Sequence, residues 1–317
     1  MKIKLFNETV SINSSIHKKN NINKCDISII IRTKDEGANI KRCIEAILSQ
    51  KTNYTYEIIV IDSGSRDNTI QIAEQFPIVT IIKIPQSDFN FGSSIQLGIH
   101  FANGEYCVFV SAHATPANKQ WLENLINPFN MKSVAATYSK QTYQEDANFI
   151  ERKSLDETFG DTKKIQEWNK SFTKFKDYRS EIAFSNASSA IRKKVALKYP
   201  FSIMCASEDR EWAMRILKKG YKVVYVPSSK IYHYHNETAK QYYRRIYINS
   251  FALFQFANVK ISAPSILPLW IISSFNNIKY LFNNHSINSK NILQAITYGR
   301  LYAKAHYCGA RDARRIK

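Results

Sequence analysis

The sequence predicts an α/β protein, a doubly wound, mostly parallel sheet of Rossmann-like type followed by a helical C-terminal extension. Three observations predict it. Uninterrupted apolar runs recur, as in ISIII from Ile27 to Ile31 and EIIVI from Glu57 to Ile61, and strands covered on both faces read as continuous runs rather than alternating ones. Helix-length stretches separate the runs, which is what right-handed crossovers between parallel strands require. Each run also ends in a short polar cluster, at the sheet edge where ligands bind in such folds.

Taken in order, residues 1–25 are rich in Asn and Lys with weak periodicity, and are expected to form an extension outside the main fold. The first strand begins after Asp26. Behind a loop with Gly37 and Asn39, Ile40, Cys43, Ile44, Ile47 and Leu48 recur at helical spacing. The second strand ends in the polar turn Asp62-Ser63-Gly64-Ser65, and a helix is expected from about Asn68 to Phe76. A strand from Val79 to Ile84, a helix ending near Phe101 and a strand from Tyr106 to Val110 follow, the last running into Ser111-Ala112-His113. The segment from Tyr143 to Tyr178 is polar and expected to be helical. Ser207 is expected to cap a helix with Glu208, Asp209 and Glu211 in its first turn and Trp212, Ala213, Ile216 and Leu217 on one face, closed by Gly220. Asp209 then points to the core-facing side. A strand from Lys222 to Val226 leads to the cluster His233-Tyr234-His235-Asn236-Glu237.

Composition narrows the class. The chain has 317 residues, 44% of them hydrophobic, enough for a substantial core. Five scattered cysteines without CxxC spacing argue against a disulfide framework or a zinc site and fit a reducing cytosol. No signal-peptide pattern opens the chain, and the most apolar stretch, 261–282, is broken by Pro264, Pro268 and asparagines. The expectation is a cytoplasmic protein. A formal charge of +19 calls for an anionic partner. Nucleic acid is disfavoured because basic and aromatic residues do not interleave in a strand-binding pattern. The basic residues after Arg300 (Lys304, Arg311, Arg314, Arg315, Lys317) suit an anionic membrane at the inner face of the cytoplasmic membrane. A solvated tail is the plainer alternative.

Four pieces in order resemble the family 2 glycosyltransferases. They are IIIRTKDEG, EIIVIDSGSRDNT, FVSAHATP at the place of the metal-binding DxD, and ASEDREWAMRILKKGY. The likeness covers roughly Asp26 to Thr238. It is to a bacterial surface-polysaccharide (capsule or O-antigen) type with SAH in place of DxD, and FNFG before the third helix resembles rhamnosyltransferases, although Gln96 stands where an Asn is usual. The resemblance implies a GT-A fold over residues 26–238, with a nucleotide-binding part (26–117), an acceptor and catalytic part (118–238), and a basic helical region (239–317).

It also implies an activity and a site. The reaction is inverting transfer from a nucleoside-diphosphate sugar, UDP or dTDP foremost, to a hydroxyl of a glycan or lipid-linked acceptor. Asp209 maps to the general base, expected to stay a carboxylate at neutral pH, and Glu208 orients or binds the acceptor. Arg32, Thr33, Lys34, Glu36, Asp62, Ser63, Ser111, Ala112, His113 and Asn186 map to the nucleotide-sugar site, with Asp62 accepting from the base and Thr33 and Glu36 framing base and ribose. His113 and His235, the latter preferred over His233, map to a divalent-cation site; imidazole favours Mn²⁺ over Mg²⁺. Plainer readings stand beside these: a turn-closing Asp62, structural histidines, helix-dipole compensation by Asp209, and a non-catalytic relative that lost DxD.

Overall fold

The computed structural model describes residues 1–20, 22–169, 182–257 and 265–315. Its core is a mixed sheet with strand order β10 (Lys164–Gln166), β12 (Lys222–Tyr232), β9 (Val134–Thr142), β11 (Ser188–Arg192), β7 (Tyr106–Ser111), β4 (Ile27–Thr33), β5 (Tyr56–Asp62), β6 (Val79–Lys83), β3 (Ser15–Lys18). The parallel half consists of β4 (Ile27–Thr33), β5 (Tyr56–Asp62), β6 (Val79–Lys83) and β7 (Tyr106–Ser111). Alternate side chains of these strands go to opposite faces. Ile30, Ile59, Ile61, Cys107 and Phe109 join one core, whereas Ile29, Ile31, Ile58, Val60 and Val108 join the other. Both faces are dry because α1 (Ile40–Leu48) covers the second core and α3 (Phe91–Phe101) the first. At the α3 contact Gly98 sits so close to β4 that a Cβ would lie 2.6 Å from Ile30 Cγ2.

The expected helix after Asp67 is α2 (Thr69–Glu74). Beyond β7 the sheet changes sense. The short β8 (Thr115–Pro116) and α4 (Trp121–Ile126) lead to β9 (Val134–Thr142), and β11 (Ser188–Arg192) inserts antiparallel between β7 and β9. After α6 (Lys193–Lys198) and α7 (Glu208–Lys218), β12 (Lys222–Tyr232) runs parallel to β9, with its register shifting between Val226 and Lys230. Pro227 cannot donate to a ladder and stands in that interruption. The shift lets β12 continue to Tyr232, six residues past the expected end at Val226.

Three expectations are corrected. Residues 1–25 are not outside the fold: β1 (Lys2–Lys4) pairs with β2 (Thr9–Ser11), β3 (Ser15–Lys18) pairs antiparallel with β6, and Ile3, Leu5 and Ile12 are buried in the first core. Isolated apolar anchors in a polar stretch carry no periodic signal. The segment after Tyr143 is not one helix; α5 (Phe149–Thr158) is followed by β10 (Lys164–Gln166) on the sheet edge, and the part from 170 lies outside the described residues. Ser207 precedes α7 but does not cap it with its side chain. It has φ of 59° in the left-handed region, and its carbonyl accepts from Glu211 N.

The C-terminal region is helical, as expected: α8 (Ala239–Ala257), α9 (Ile266–Asn283) and α10 (Ser289–Arg315). Small residues let them approach closely. A Cβ at Gly309 would meet Tyr247 O at 2.5 Å, and one at Gly299 would meet Ser274. Ser250 and His306 hydrogen-bond at 2.8 Å in the contact. Among the described residues no helix is long and apolar enough to cross a membrane.

Candidate active site

The carboxyl ends of the parallel strands bring the polar clusters together. Thr33 O accepts from both the backbone and the hydroxyl of Ser63 at 3.1 Å, tying the ends of β4 and β5. Ala112 N donates to Arg32 O, tying β4 to the turn after β7. Asp62, almost fully buried, accepts from Gly64 N at 3.1 Å and from both the backbone and the hydroxyl of Ser65. It therefore closes its own turn, and Gly64 supplies the positive φ of 87° that the turn needs. Asp62 also lines a cavity of about 320 Å³ with Asn13, Ser15, Gly64, Lys83 and Pro85. Asn13 and Ser15 were missed at the sequence level because their segment carried no strand signal.

A histidine cluster lies at the other side of the strand ends. β8 pairs with the end of β12, Thr115 opposite Tyr232, so His113 and His233 are carried to the same place by one two-residue ladder. His233 N continues the β9 pairing through Thr142 O at 3.0 Å. His113 Nε2 and His233 Nε2 lie 3.0 Å apart, and potential ligand atoms of His113, His233 and His235 all lie within 4.8 Å of one another. The outer nitrogens are held. His113 Nδ1 meets Glu36 Oε1 at 2.7 Å, and His233 Nδ1 meets Gln141 Oε1 at 2.9 Å. Asn39 Nδ2 donates to the second oxygen of Glu36.

Burial, and then the neighbouring histidines, hold His233 well below the ordinary histidine range. Burial foremost, with His113 next, lowers His235 to about 4. Both rings are thus neutral near pH 7, the form that can donate a lone pair to a cation. Glu36 is held below the usual carboxylate range by its hydrogen bonds to His113 and Asn39, although burial opposes them. A carboxylate behind a ligating imidazole fixes the ring and its tautomer. The residues therefore fit a divalent cation, with a nitrogen-rich donor set. Glu36, expected to frame base and ribose, has both carboxylate oxygens engaged here, by His113 and by Asn39. His233 stands beside the expected pair His113 and His235, and Gln141, which no motif marked, holds its outer nitrogen. The cluster borders a cavity of about 790 Å³ whose lining includes Arg42, Asp146, Tyr234, Asn236 and Gln241.

The acidic pair forms a third group. Asp209 Oδ2 accepts from Asn186 N at 3.1 Å, and Oδ1 accepts from Arg210 N at 2.7 Å. Glu208 is buried, with Arg32 Nη1 3.9 Å from its Oε1. The Arg32 guanidinium lies over the Phe91 ring at 5.4 Å. Burial, then the Asp209 charge, pushes Glu208 up to about 7 against the pull of Arg32. Burial also raises Asp209, but the two backbone N–H groups and the Arg210 and Arg32 charges oppose that rise. Burial thus raises both adjacent carboxyls, and the two titrate as a pair. Trp212, stacked on Phe201 at 5.1 Å and donating to Tyr199 O, anchors the helix beneath them.

Three buried polar atoms here have no hydrogen-bond partner: Arg32 Nη1, Thr33 Oγ1 and Asn186 Nδ2. Such atoms cost about 1–3 kcal/mol each unless a ligand or water satisfies them. Ser63 spends its hydroxyl on Thr33 O, Ala112 is buried, and Lys34 is exposed and outside the lining of both cavities. Ser111 contributes its carbonyl to the turn, accepting from Ala114 N at 2.8 Å.

The family model described as glycosyl transferase family 2 matches residues 28–199. The chain is 28% identical over 230 residues to an O-antigen chain rhamnosyltransferase of Salmonella typhimurium, covering 70% of each. It is 32% identical over 203 residues to one of Salmonella anatum, covering 62% of each. Among solved structures it resembles a mannosyltransferase from Pyrobaculum calidifontis in complex with GDP-Man and Mn²⁺. The TM-score is 0.57 at 16% identity, over 95% of this chain and 78% of that one. It also resembles TarS 1–349 of S. aureus in complex with UDP (TM-score 0.53, 13% identity, 92% of each chain). These two likenesses are of fold.

Proposed function

The chain belongs to glycosyl transferase family 2, and from that premise we propose that it transfers a sugar, with inversion, from a nucleoside-diphosphate sugar to a hydroxyl of a glycan or lipid-linked acceptor of a bacterial surface polysaccharide. UDP and dTDP are the favoured nucleotides. The observation that carries the reading is the acidic pair beside buried donors: Asp209 accepts from two backbone N–H groups, and close by lie Arg32 Nη1, 3.9 Å from Glu208, and Asn186 Nδ2, two buried atoms without a hydrogen-bond partner.

In this mechanism Asp209 takes the proton of the acceptor hydroxyl as its oxygen attacks the anomeric carbon. The bond to the diphosphate breaks on the opposite face, and configuration inverts. A base poised in this way contributes about 10²–10⁴-fold. Glu208 holds the acceptor or a sugar hydroxyl, and its raised pKa lets it donate as well as accept. Asn186 Nδ2 and Arg32 Nη1 take up sugar or phosphate oxygens. Thr33 and Asp62 hold the nucleotide, with the cavity lined by Asp62 and Lys83 receiving the base. His113, His233 and His235 would hold the divalent cation, Mn²⁺ in preference to Mg²⁺, which neutralises charge growing on the leaving diphosphate. Glu36 and Gln141 orient its ligands.

The test is the product itself. With the nucleotide sugar that supports transfer to a polysaccharide-precursor acceptor, NMR of the new linkage should show the anomeric configuration opposite to the donor's. Retained configuration would remove Asp209 from the role of base in a single displacement.

A further inference from the structure

The C-terminal helices carry an exposed surface that has no part in that chemistry. On α9, Leu267, Ile271, Phe275 and Phe282 are between 58% and 69% exposed. Their spacing of four, four and seven places them on one helical face, while the adjoining face buries Ser274, Asn277 and Leu281 against the bundle. α10 extends the apolar surface: Trp270 donates to Ile296 O, and Leu293 is 67% exposed. Side chains of this size in a continuous exposed row mark a contact surface.

Charge says what covers it. From Thr238 to Arg311 the sequence has nine Lys and Arg residues and no Asp or Glu. Lys279 falls in the apolar stripe itself, Arg300 lies over Trp270 at 5.9 Å, and Lys304 is exposed one turn further along α10. In a symmetric contact with a second copy, this row would face itself and set cations against cations with no carboxylate to pair them. Apolar side chains flanked by lysine and arginine match a surface with an acyl interior and anionic headgroups. The helices cannot cross it, so they would lie along it.

We propose that the α9 stripe, with Lys279, Arg300 and Lys304, seats the protein on an anionic lipid surface. The proposal is independent of the reaction above, because lipid binding is read without donor or turnover. Since α8 starts beside the cavity lined by Glu237 and Gln241, this seating would bring the cavity's rim to a lipid-anchored acceptor.

The experiment is co-sedimentation of the full chain with vesicles of phosphatidylcholine alone or with added phosphatidylglycerol, paired with light scattering. Wild type should bind the phosphatidylglycerol vesicles and leave those of phosphatidylcholine. Leu267→Ser/Ile271→Ser/Phe275→Ser should weaken that binding by about tenfold or more, and Lys279→Gln/Arg300→Gln should weaken it and reduce its salt dependence. The replaced apolar side chains are exposed, so circular dichroism and melting should match wild type; Phe275→Ser alone serves if the triple variant does not fold. Failure of wild type to bind, equal binding to both vesicle types, or unchanged binding by the apolar variants would overturn the proposal. So would a wild-type dimer that the same substitutions turn into monomers, since the stripe would then be a self-interface.

Discussion

Replacing Asp209 by Asn separates catalysis from folding, because the structure assigns different magnitudes to each. The carboxylate accepts two backbone N–H groups, from Asn186 at 3.1 Å and Arg210 at 2.7 Å. An amide has the same shape but turns its NH₂ toward one of them, losing one hydrogen bond at about 1–3 kcal/mol. Removing a desolvated charge beside Glu208 offsets part of that loss, so stability should fall by no more than about 2 kcal/mol. The barrier should change more. Loss of the base should slow transfer by about 10²–10⁴-fold, or roughly 3–5 kcal/mol. Initial rates of sugar transfer, with melting curves and nucleotide affinity measured on the same preparation, check all three quantities. A variant that folds, binds nucleotide and still turns over near the wild-type rate would refute the assignment.

Two predictions rest on the charges around that pair. Arg32→Met removes a cation that favours both carboxylates, so their pKa values should rise and the acid limb of the pH–rate profile should move to higher pH; an unmoved limb would exclude Arg32 as their counter-charge. Glu208 has a folded pKa of about 7, above its unfolded value, so its stabilising contribution is present below about pH 4.5 and is lost as pH rises through 7. Chemical denaturation should show Glu208→Gln losing up to about 3 kcal/mol of that pH dependence, and parallel wild-type and variant curves would contradict the burial argument.

Much of this was legible because parallel strands announce themselves. Ile27 to Ile31 is buried on both faces, and its shortness and β-branched content between polar turns favour a strand over a buried helix. The strand-end rule then placed Arg32, Thr33, Asp62, Ser111 and His113 at one edge of the sheet without coordinates, whereas Glu208, Asp209 and Asn186 entered only through the family resemblance. What it could not give was pairing. β11 arrives antiparallel between β7 and β9, and the two-residue β8 fixes His113 beside His233; neither contact has a local signature. The same holds for Glu36, whose partner is 77 residues away. The N-terminal strands failed for a different reason. Their stability comes from Ile3, Leu5 and Ile12 entering a core made by the rest of the chain, so their own composition reads as polar. Ser207 looked like a cap by residue type, but its backbone is left-handed and its side chain accepts no hydrogen bond from the helix's first turn.

In the reaction proposed above, a glycosyltransferase without DxD holds its donor through a histidine cation site. Calorimetric titration of the purified chain with UDP, dTDP, GDP and CMP, in Mn²⁺, in Mg²⁺ and in chelator, for wild type, His113→Ala and His233→Ala, tests this. UDP or dTDP should bind, with Mn²⁺ supporting tighter binding than Mg²⁺, and both substitutions should abolish the Mn²⁺ gain. Equal affinity in chelator, or a Mn²⁺ gain that survives loss of His113 and His233, would contradict it.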